Sequence, residues 1–210
     1  MNTTVLVIAK EPLPGRVKTR LSPAYTPEQA ARLARAALVD TLDVVRRSNT
    51  ARRVLVLEGR RGDWVPDGFE VIGQRGDGLD ERLANAFAAV DGPCLLIGMD
   101  TPQVTVDLLA PALGEGAWAA HDAWFGPAAD GGFWALGFRD PRPDLLRGVP
   151  MSRDDTGAIQ YGRLLDAGLV IGRLPLLRDV DTPSDVAEVA ALAPHGSFAR
   201  TAHRLGSVTR

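Results

Sequence analysis

The sequence has few of the residues that build disulfides and transition-metal sites. It contains one cysteine, Cys94, and three histidines that lie far apart, His121, His195 and His203. A single cysteine excludes an intramolecular disulfide, and the dispersed histidines do not predict a zinc site or a catalytic dyad. Because Cys94 begins an apolar run, we expect it to be an ordinary core residue.

Long apolar runs and a large excess of charge are also missing. No stretch approaches the roughly 18 apolar residues of a membrane span, and the first residues lack the features of a signal peptide. The 24 Lys and Arg residues nearly balance the 26 Asp and Glu residues, whereas binders of nucleic acids or membrane surfaces usually carry a basic excess. We therefore expect a cytoplasmic protein that binds neither nucleic acid nor membranes, with any cationic site confined to one place.

Short apolar segments rich in β-branched residues alternate with longer helical patterns along the chain. This alternation predicts an α/β fold with a mostly parallel sheet covered on both faces. A single domain is expected over residues 1–194, followed by a solvated basic tail over residues 195–210. The predicted strands cover residues 5–9, 53–57, 70–72, 94–98, 117–121, 132–137 and 169–174, and the predicted helices cover residues 27–47, 78–90, 105–112, 156–167 and 184–192.

A short basic loop follows the first predicted strand, in the segment "VLVIAKEPLPGRVKTRLSP". Ligands of open parallel sheets bind beyond the carboxyl ends of the strands, so this position favours a binding site. Two prolines and one glycine do not form a Walker motif, and the side chains must therefore do most of the binding. The alternative is a solvated basic turn. The four candidate phosphate-binding residues are Lys10, Arg16, Lys18 and Arg20.

Carboxylates follow two other predicted elements. Asp100 comes directly after the apolar strand "CLLIG", where a buried acid needs a partner, and a divalent cation is one such partner. Asp179 and Asp181 alternate in "LRDVDTPSD" and so point to one side of an extended segment. Asp100 and Asp181 are the stronger candidates for a metal site. The alternative is that these acids cap the helices that follow them.

Two further loops are candidate parts of a site. Asp130 precedes a Gly-Gly pair in "GPAADGGFWALG", which indicates either an ordinary hairpin turn or close approach of a ligand. Gln74 ends a predicted strand, and Gly78 leads into a helix, so this connection is suited either to a nucleobase or phosphate or to no ligand. Trp118, Trp124, Phe133 and Trp134, all between positions 117 and 135, either line the acceptor side or form a core patch.

These motifs, in this order, resemble the bacterial proteins of the DUF2064 family, within the superfamily of nucleotide-diphospho-sugar transferases. The resemblance spans residues 3–193 and rests on "AKEPLPGRVKTRL", "IGMDTP", "GPAADGGFWALG" and "DVDTPSD". It implies a three-layer α/β/α, Rossmann-like GT-A fold with a mixed sheet, and an enzyme that binds a nucleoside triphosphate or nucleotide sugar with Mg²⁺ or Mn²⁺.

The resemblance also implies roles for individual residues. Lys18 and Arg20 match the phosphate-binding loop, Asp100 and Asp181 match the metal-binding acids, and Gln74 and Gly78 correspond to the base-contacting loop. The superfamily's glycine-rich "GGxGTR" is replaced by "EPLPGRVKTR", which again shifts phosphate binding to side chains.

We expect a magnesium-dependent nucleotidyltransferase that acts on a small phosphorylated or carboxylated acceptor and releases pyrophosphate. Lys10, Lys18 and Arg20 would hold the triphosphate, with Lys18 and Arg20 as the catalytic cations. The first alternative is a glycosyltransferase that uses a nucleotide-sugar donor, with Asp130 as acceptor base. The second is a nucleotide-binding regulatory protein without turnover. The oligomeric state is left open, a homodimer included.

Overall fold

A computed structural model describes residues 3–206 of the chain and shows one seven-stranded mixed sheet. The strand order is β3-β2-β1-β4-β6-β5-β7, and all neighbours are parallel except β4–β6 and β5–β6. The strands are β1 (Thr4–Lys10), β2 (Arg52–Glu58), β3 (Glu70–Gly73), β4 (Cys94–Gly98), β5 (Ala123–Pro127), β6 (Phe133–Phe138) and β7 (Ile171–Arg173).

Helices cover both faces of this sheet, which confirms the expected three-layer α/β fold. α1 and α3 pack on one face and α2 and α4 on the other, while α5 and α6 pack on the outer side of α1. The helices are α1 (Pro27–Arg47), α2 (Leu79–Phe87), α3 (Val106–Leu113), α4 (Thr156–Asp166), α5 (Pro183–Leu192) and α6 (Ser197–Gly206).

Local sequence signals explain the first two elements. Residues 4–7 of β1 are buried because α-helical layers cover both sides of a central parallel strand, and this selects the unbroken apolar run. α1 begins at a capping box, in which the Thr26 hydroxyl accepts from the Gln29 amide and the Gln29 side chain accepts from the Thr26 amide. Both elements lie within one residue of their predicted bounds.

The topology brings the ends of six strands to one edge of the sheet. All strands except β6 run in the same direction, so their carboxyl ends meet there. β6 runs the opposite way, and the hairpin over residues 128–132 therefore turns at this same edge. Every candidate site residue lies at or near this edge.

The predicted strand over residues 117–121 is wrong. This segment forms turns, and the strand begins later, at β5. Its three alanines are weak strand formers. The apolar Trp118 holds this turn against the core, where its indole N–H donates to the Thr3 hydroxyl at 2.8 Å.

The solvated tail expected from residue 195 on is also wrong as far as residue 206; residues 207–210 lie outside the described part. α6 buries Phe198, Ala202 and Leu205 against α1 and α5. Its first amides, those of Ser197 and Phe198, donate to the Asp40 carboxylate at 2.8 Å. The cap comes from a residue far away in the sequence, so local signals do not reveal it.

We expect Phe198→Ala to lower the free energy of unfolding by about 3 kcal/mol, because it leaves a cavity where a fully buried ring packs. Urea denaturation measures this loss. Arg204→Ala, an exposed change on the same helix, is the matched control and should cost less than about 0.5 kcal/mol. Equal stability of the two variants would return this segment to a solvated tail.

Candidate functional site

A buried lysine joins the two predicted metal-binding acids at the carboxyl edge of the sheet. The Lys18 ammonium lies 2.7 Å from Asp100 Oδ1 and 3.3 Å from Asp181 Oδ1, and the Lys18 side chain is 7% exposed. Arg20 Nη1 lies 3.2 Å from Asp181 Oδ2. Burial opposes the charge of Lys18, but the two carboxylates outweigh it and raise the Lys18 pKa above its ordinary value. The structure thus brings together four of the predicted site residues.

Backbone contacts hold these acids in place. The Val180 amide donates to the Asp100 carbonyl at 3.0 Å, and Gln103 donates to the Arg178 carbonyl at 2.7 Å. These bonds fix the segment of Asp181 beside the end of β4. Lys18 has a φ of 51°, a left-handed conformation that residues other than glycine seldom adopt. Such a conformation often marks a functional position.

Neither acid serves as a helix cap, so the capping alternative is excluded for both. α3 begins well after Asp100 and is capped by the Thr105 hydroxyl, which accepts from the Leu108 amide at 3.2 Å. α5 is capped by Thr182 and Asp185, and Asp185 Oδ2 accepts from the amides of Asp181 and Thr182. The side chains of Asp100 and Asp181 therefore contact the cations Lys18 and Arg20 and not helix amides.

The other two cations of the basic loop lie apart from Lys18, next to Glu58 at the end of β2. Lys10 Nζ is 3.6 Å and Arg16 Nη2 is 4.0 Å from the Glu58 carboxylate, and Arg82 contacts the same group closely. Burial alone would raise the Glu58 pKa. The hydrogen bond from Arg82 and the charges of Lys10 and Arg82 outweigh this effect, so the pKa lies below its ordinary value. No motif of the sequence predicts a role for Glu58 or Arg82.

Gln74 and Gly78 lie in the loop between β3 and α2, at the same edge of the sheet, and have different environments. The Gln74 amide nitrogen donates to the carbonyls of Ala9 at 2.8 Å and Val56 at 3.2 Å. Gly78 is the N-cap residue of α2, where its carbonyl accepts from the Arg82 amide. Gln74 lines the central cavity, and Gly78 shapes the start of the adjoining helix.

Asp130 lies at the tip of the β5–β6 hairpin, which confirms the predicted turn. Its Oδ1 accepts from the Gly132 amide at 2.8 Å. Gly131 has a φ of +88°, and a Cβ there would lie 1.9 Å from the Asp154 carbonyl oxygen. Only glycine therefore permits this contact between the hairpin and the loop before α4, which places Asp130 on the cavity wall.

Asp179 is the third acid near Lys18, and its Oδ1 is buried without a hydrogen-bond partner among the described residues. Burial, with the negative charges of Asp130 and Asp100, raises the Asp179 pKa to about 7. The sequence ranked Asp179 below Asp181. Alternation placed both on one side of the segment, but it did not reveal that only Asp181 contacts Lys18 and Arg20.

A cavity of about 760 Å³ lies above these groups, between the basic loop, the start of α2, the hairpin tip and the loop before α4. Phe133 lines it and is half-buried, whereas Trp134 is 3% exposed and donates to the Pro175 carbonyl at 2.9 Å. Trp118 and Trp124 belong to the core. Of the two interpretations of the aromatic segment, the core patch therefore describes most of it.

The donor set suits a hard divalent cation. Within residues 3–206, no three carboxylate, imidazole or thiol groups converge on one metal position. Mg²⁺ is commonly bound by one or two carboxylates together with substrate phosphates and water. Asp100 and Asp181 face one cation already, the Lys18 ammonium, and the unpartnered oxygen of Asp179 lies nearby, so these residues fit such an ion.

Several solved structures share this architecture. A protein from Desulfovibrio desulfuricans G20, provisionally named a nucleotide-diphospho-sugar transferase, is 26% identical, with a TM-score of 0.78 over 98% of this chain and 99% of that one. CMP:2-keto-3-deoxy-manno-octonic acid synthetase, solved with CTP, is 14% identical, with a TM-score of 0.59 over 92% and 99%. The Mycobacterium tuberculosis H37Rv protein Rv0371c, solved with manganese, is 22% identical, with a TM-score of 0.54 over 90% and 97%.

The fold is therefore that of the nucleotide-diphospho-sugar transferases, as the sequence predicted. The chain belongs to the family described as "Uncharacterized protein conserved in bacteria (DUF2064)", whose model matches residues 24–153. No curated protein matches the sequence significantly. None of the helices in residues 3–206 is long and apolar enough to cross a membrane.

Proposed function

We propose that the protein is a divalent-metal-dependent nucleotidyltransferase that binds a nucleoside triphosphate at the carboxyl ends of β1 and β4. The observation that carries this proposal is the Lys18 ammonium, which is buried between Asp100 and Asp181 at the floor of the cavity. A buried cation beside two acids provides both halves of a site for a metal-bound polyphosphate. The nucleotide chemistry of the structural neighbours supports the same class.

The basic residues would bind the phosphates through side chains. Lys18 and Arg20 lie next to the acids, and Lys10 and Arg16 extend the positive charge toward β2. Charge grows on the leaving pyrophosphate during nucleotidyl transfer, and fixed cations in a site with little water stabilise it. Asp100 and Asp181 hold the Lys18 ammonium at the floor of the cavity before substrate binds.

Asp100 and Asp181 would hold the metal, as the sequence predicted for Mg²⁺ or Mn²⁺. The bound ion would supply Lewis-acid activation of the α-phosphate. Lys18 would then exchange its carboxylate partners for phosphate oxygens, since both contacts are ion pairs of similar geometry. A small phosphorylated or carboxylated acceptor would attack from the side of the hairpin tip.

Glycosyl transfer from a nucleotide sugar is the second candidate, and Asp130 is the observation that favours it. Only its Oδ1 is used by the Gly132 amide, so Oδ2 is available on the cavity wall to accept a proton from an acceptor hydroxyl. This placement does not require a leaving pyrophosphate.

The two activities differ in the product released. The protein is incubated with Mg²⁺, each ribonucleoside triphosphate and a pool of phosphorylated and carboxylated small acids, and pyrophosphate is measured. A parallel reaction contains nucleotide sugars, and nucleoside diphosphate is measured. Pyrophosphate release supports nucleotidyl transfer, whereas nucleoside diphosphate from the sugars supports the alternative. Binding of nucleotides without either product indicates a regulatory protein.

We expect Asp100→Ala to remove the magnesium-dependent part of nucleotide stabilisation. A ligand at 100 times its Kd stabilises a protein by about 2.7 kcal/mol, which for this chain raises Tm by about 5–10 °C. The variant should keep only the smaller shift that nucleotide produces in EDTA. Asp107→Ala, an exposed acid on α3, is the control and should retain the full shift. The same magnesium dependence in both variants would contradict metal binding at Asp100.

A further inference from the structure

A second charged cluster lies at the carboxyl ends of β2 and β3, and the proposed reaction gives its centre no role. Arg82, on the first turns of α2, contacts the Glu58 carboxylate closely through Nη1 and lies 3.4 Å from Gln74 Oε1. Its Nε donates to the Gly76 carbonyl at 3.1 Å. Arg82 thus links the end of β2 to both ends of the loop after β3, and its side chain lines the cavity.

The orientation of the Gln74 amide is fixed by the ends of two strands. Both hydrogens of its nitrogen are donated to backbone carbonyls, those of Ala9 and Val56. Gln74 Oε1 accepts a 3.4 Å hydrogen bond from Arg82 Nη1, which leaves one lone pair of this acceptor for a ligand. Gln74 and Arg82 therefore present one acceptor and one cationic donor side by side on the cavity wall. Nucleobase edges carry the same two functions in neighbouring positions.

Glu58 connects this pair to the phosphate-binding loop. Besides Arg82, it faces Lys10 at 3.6 Å and Arg16 at 4.0 Å. Its carboxylate is one third exposed, so the two loop cations can leave it for phosphates, whereas Arg82 also bonds to backbone. Glu58 is thus the common partner of the cations at the phosphate end and of the cation beside Gln74.

We propose that Arg82, held by Glu58, is a specificity-determining residue that positions Gln74 and the loop over residues 74–78 to recognise the nucleobase of the bound nucleotide. This proposal rests on the proposed function, because it requires that a nucleotide binds in the cavity. The base edge that fits offers a hydrogen-bond donor to Gln74 Oε1 next to an acceptor for Arg82.

A purely structural role predicts a different result. If the Arg82–Glu58 pair only holds α2 against β2, its loss lowers the stability of the protein and reduces the affinity for all nucleotides equally. The chain offers a matched control in Arg52, which joins β2 to β3 through Glu70 at 2.6 Å, at the opposite ends of these strands and outside the cavity. Arg52→Met removes an ion pair of the same type from the same part of the sheet.

Equilibrium binding of ATP, CTP, GTP, UTP and inorganic tripolyphosphate, each with Mg²⁺, tests the proposal by calorimetry. We expect the unmodified protein to prefer one base. Arg82→Met should narrow the ratio of the tightest to the weakest nucleotide affinity by about tenfold, the effect of one lost hydrogen-bonded contact. It should leave the affinity for tripolyphosphate, which has no base, unchanged. Arg82→Lys should keep part of the preference among nucleobases, and the control Arg52→Met should keep all of it.

Glu58→Gln should narrow the preference as Arg82→Met does, and the double variant should add little, because the two residues act as one unit. A preference that survives in Arg82→Met would overturn the proposal, and so would equal affinity for all four nucleotides in the unmodified protein. In both cases the proposed function stands, since nucleotide binds. Absence of any nucleotide binding in the unmodified protein would instead overturn the proposed function and the inference with it.

Discussion

Lys18→Met is expected to reduce the affinity for nucleoside triphosphate with Mg²⁺ by about 100-fold or more. The substitution keeps the length of the side chain and removes the one cation that is buried at the floor of the cavity. Calorimetric titration measures the loss. Arg20→Gln should cost less, because the Arg20 side chain is 69% exposed and water screens its charge.

The same substitution should change metal binding in the opposite direction. Lys18 is the counter-ion of Asp100 and Asp181, so its removal leaves two carboxylates facing a position without a cation. We expect Mn²⁺ alone, followed by its paramagnetic resonance signal, to bind about tenfold more tightly to Lys18→Met than to the unmodified protein. An unfolded variant would lose both affinities, so the opposite signs exclude misfolding as the cause.

Arg46→Met, which removes an exposed cation from the far end of α1, is the control for both titrations and should change neither. Unchanged nucleotide affinity in Lys18→Met and in the double variant with Arg20→Gln would return the loop to a solvated basic turn.

Much of this site could be predicted because its residues follow the carboxyl ends of strands. Lys18, Asp100 and Asp181 were chosen because each follows an apolar strand or an extended segment, and the carboxyl ends of parallel strands meet at one edge of a sheet. The contact between them depends on the Val180–Asp100 backbone bond, which joins segments 80 residues apart. No local pattern encodes such a bond, so the sequence predicted neighbours but not an ion pair.

Arg82 and α6 show two different reasons for failure. No local pattern marks Arg82 as a site residue, because its partner Glu58 lies on β2, 24 residues earlier, and the pairing exists only in three dimensions. In α6, a signal was present: Phe198, Ala202 and Leu205 have helical spacing. The three arginines of residues 195–210 and the absence of a local cap obscured this signal, since the cap comes from Asp40.

Asp179→Asn is expected to stabilise the metal-free protein at pH 8 and to have little effect at pH 4. The carboxyl of Asp179 is raised to a pKa of about 7 by burial and by the charges of Asp130 and Asp100, and its Oδ1 has no partner among the described residues. The folded protein therefore keeps a proton that the unfolded chain releases near pH 4. Above pH 7 the folded protein must hold an extra buried charge beside other acids.

The sign follows from proton linkage. Between about pH 4 and pH 7 the unfolded state binds fewer protons than the folded state at this residue, so stability falls as pH rises. The penalty is complete above pH 7, and we expect asparagine to relieve about 2 kcal/mol of it, or about 4–8 °C in Tm for a chain of this size. Thermal unfolding in EDTA from pH 4 to pH 8 measures the difference.

Asp91→Asn, an exposed acid after α2, should give a curve parallel to that of the unmodified protein. The curve of Asp179→Asn should diverge from it as pH rises, and two parallel curves would contradict the raised pKa. The ionised Asp179 lowers the free energy of unfolding, because it lies buried near Asp100 and Asp130. A cation bound at Asp100 and Asp181 would reduce this destabilisation. Adding Mn²⁺ at pH 8 should therefore stabilise the unmodified protein more than Asp179→Asn.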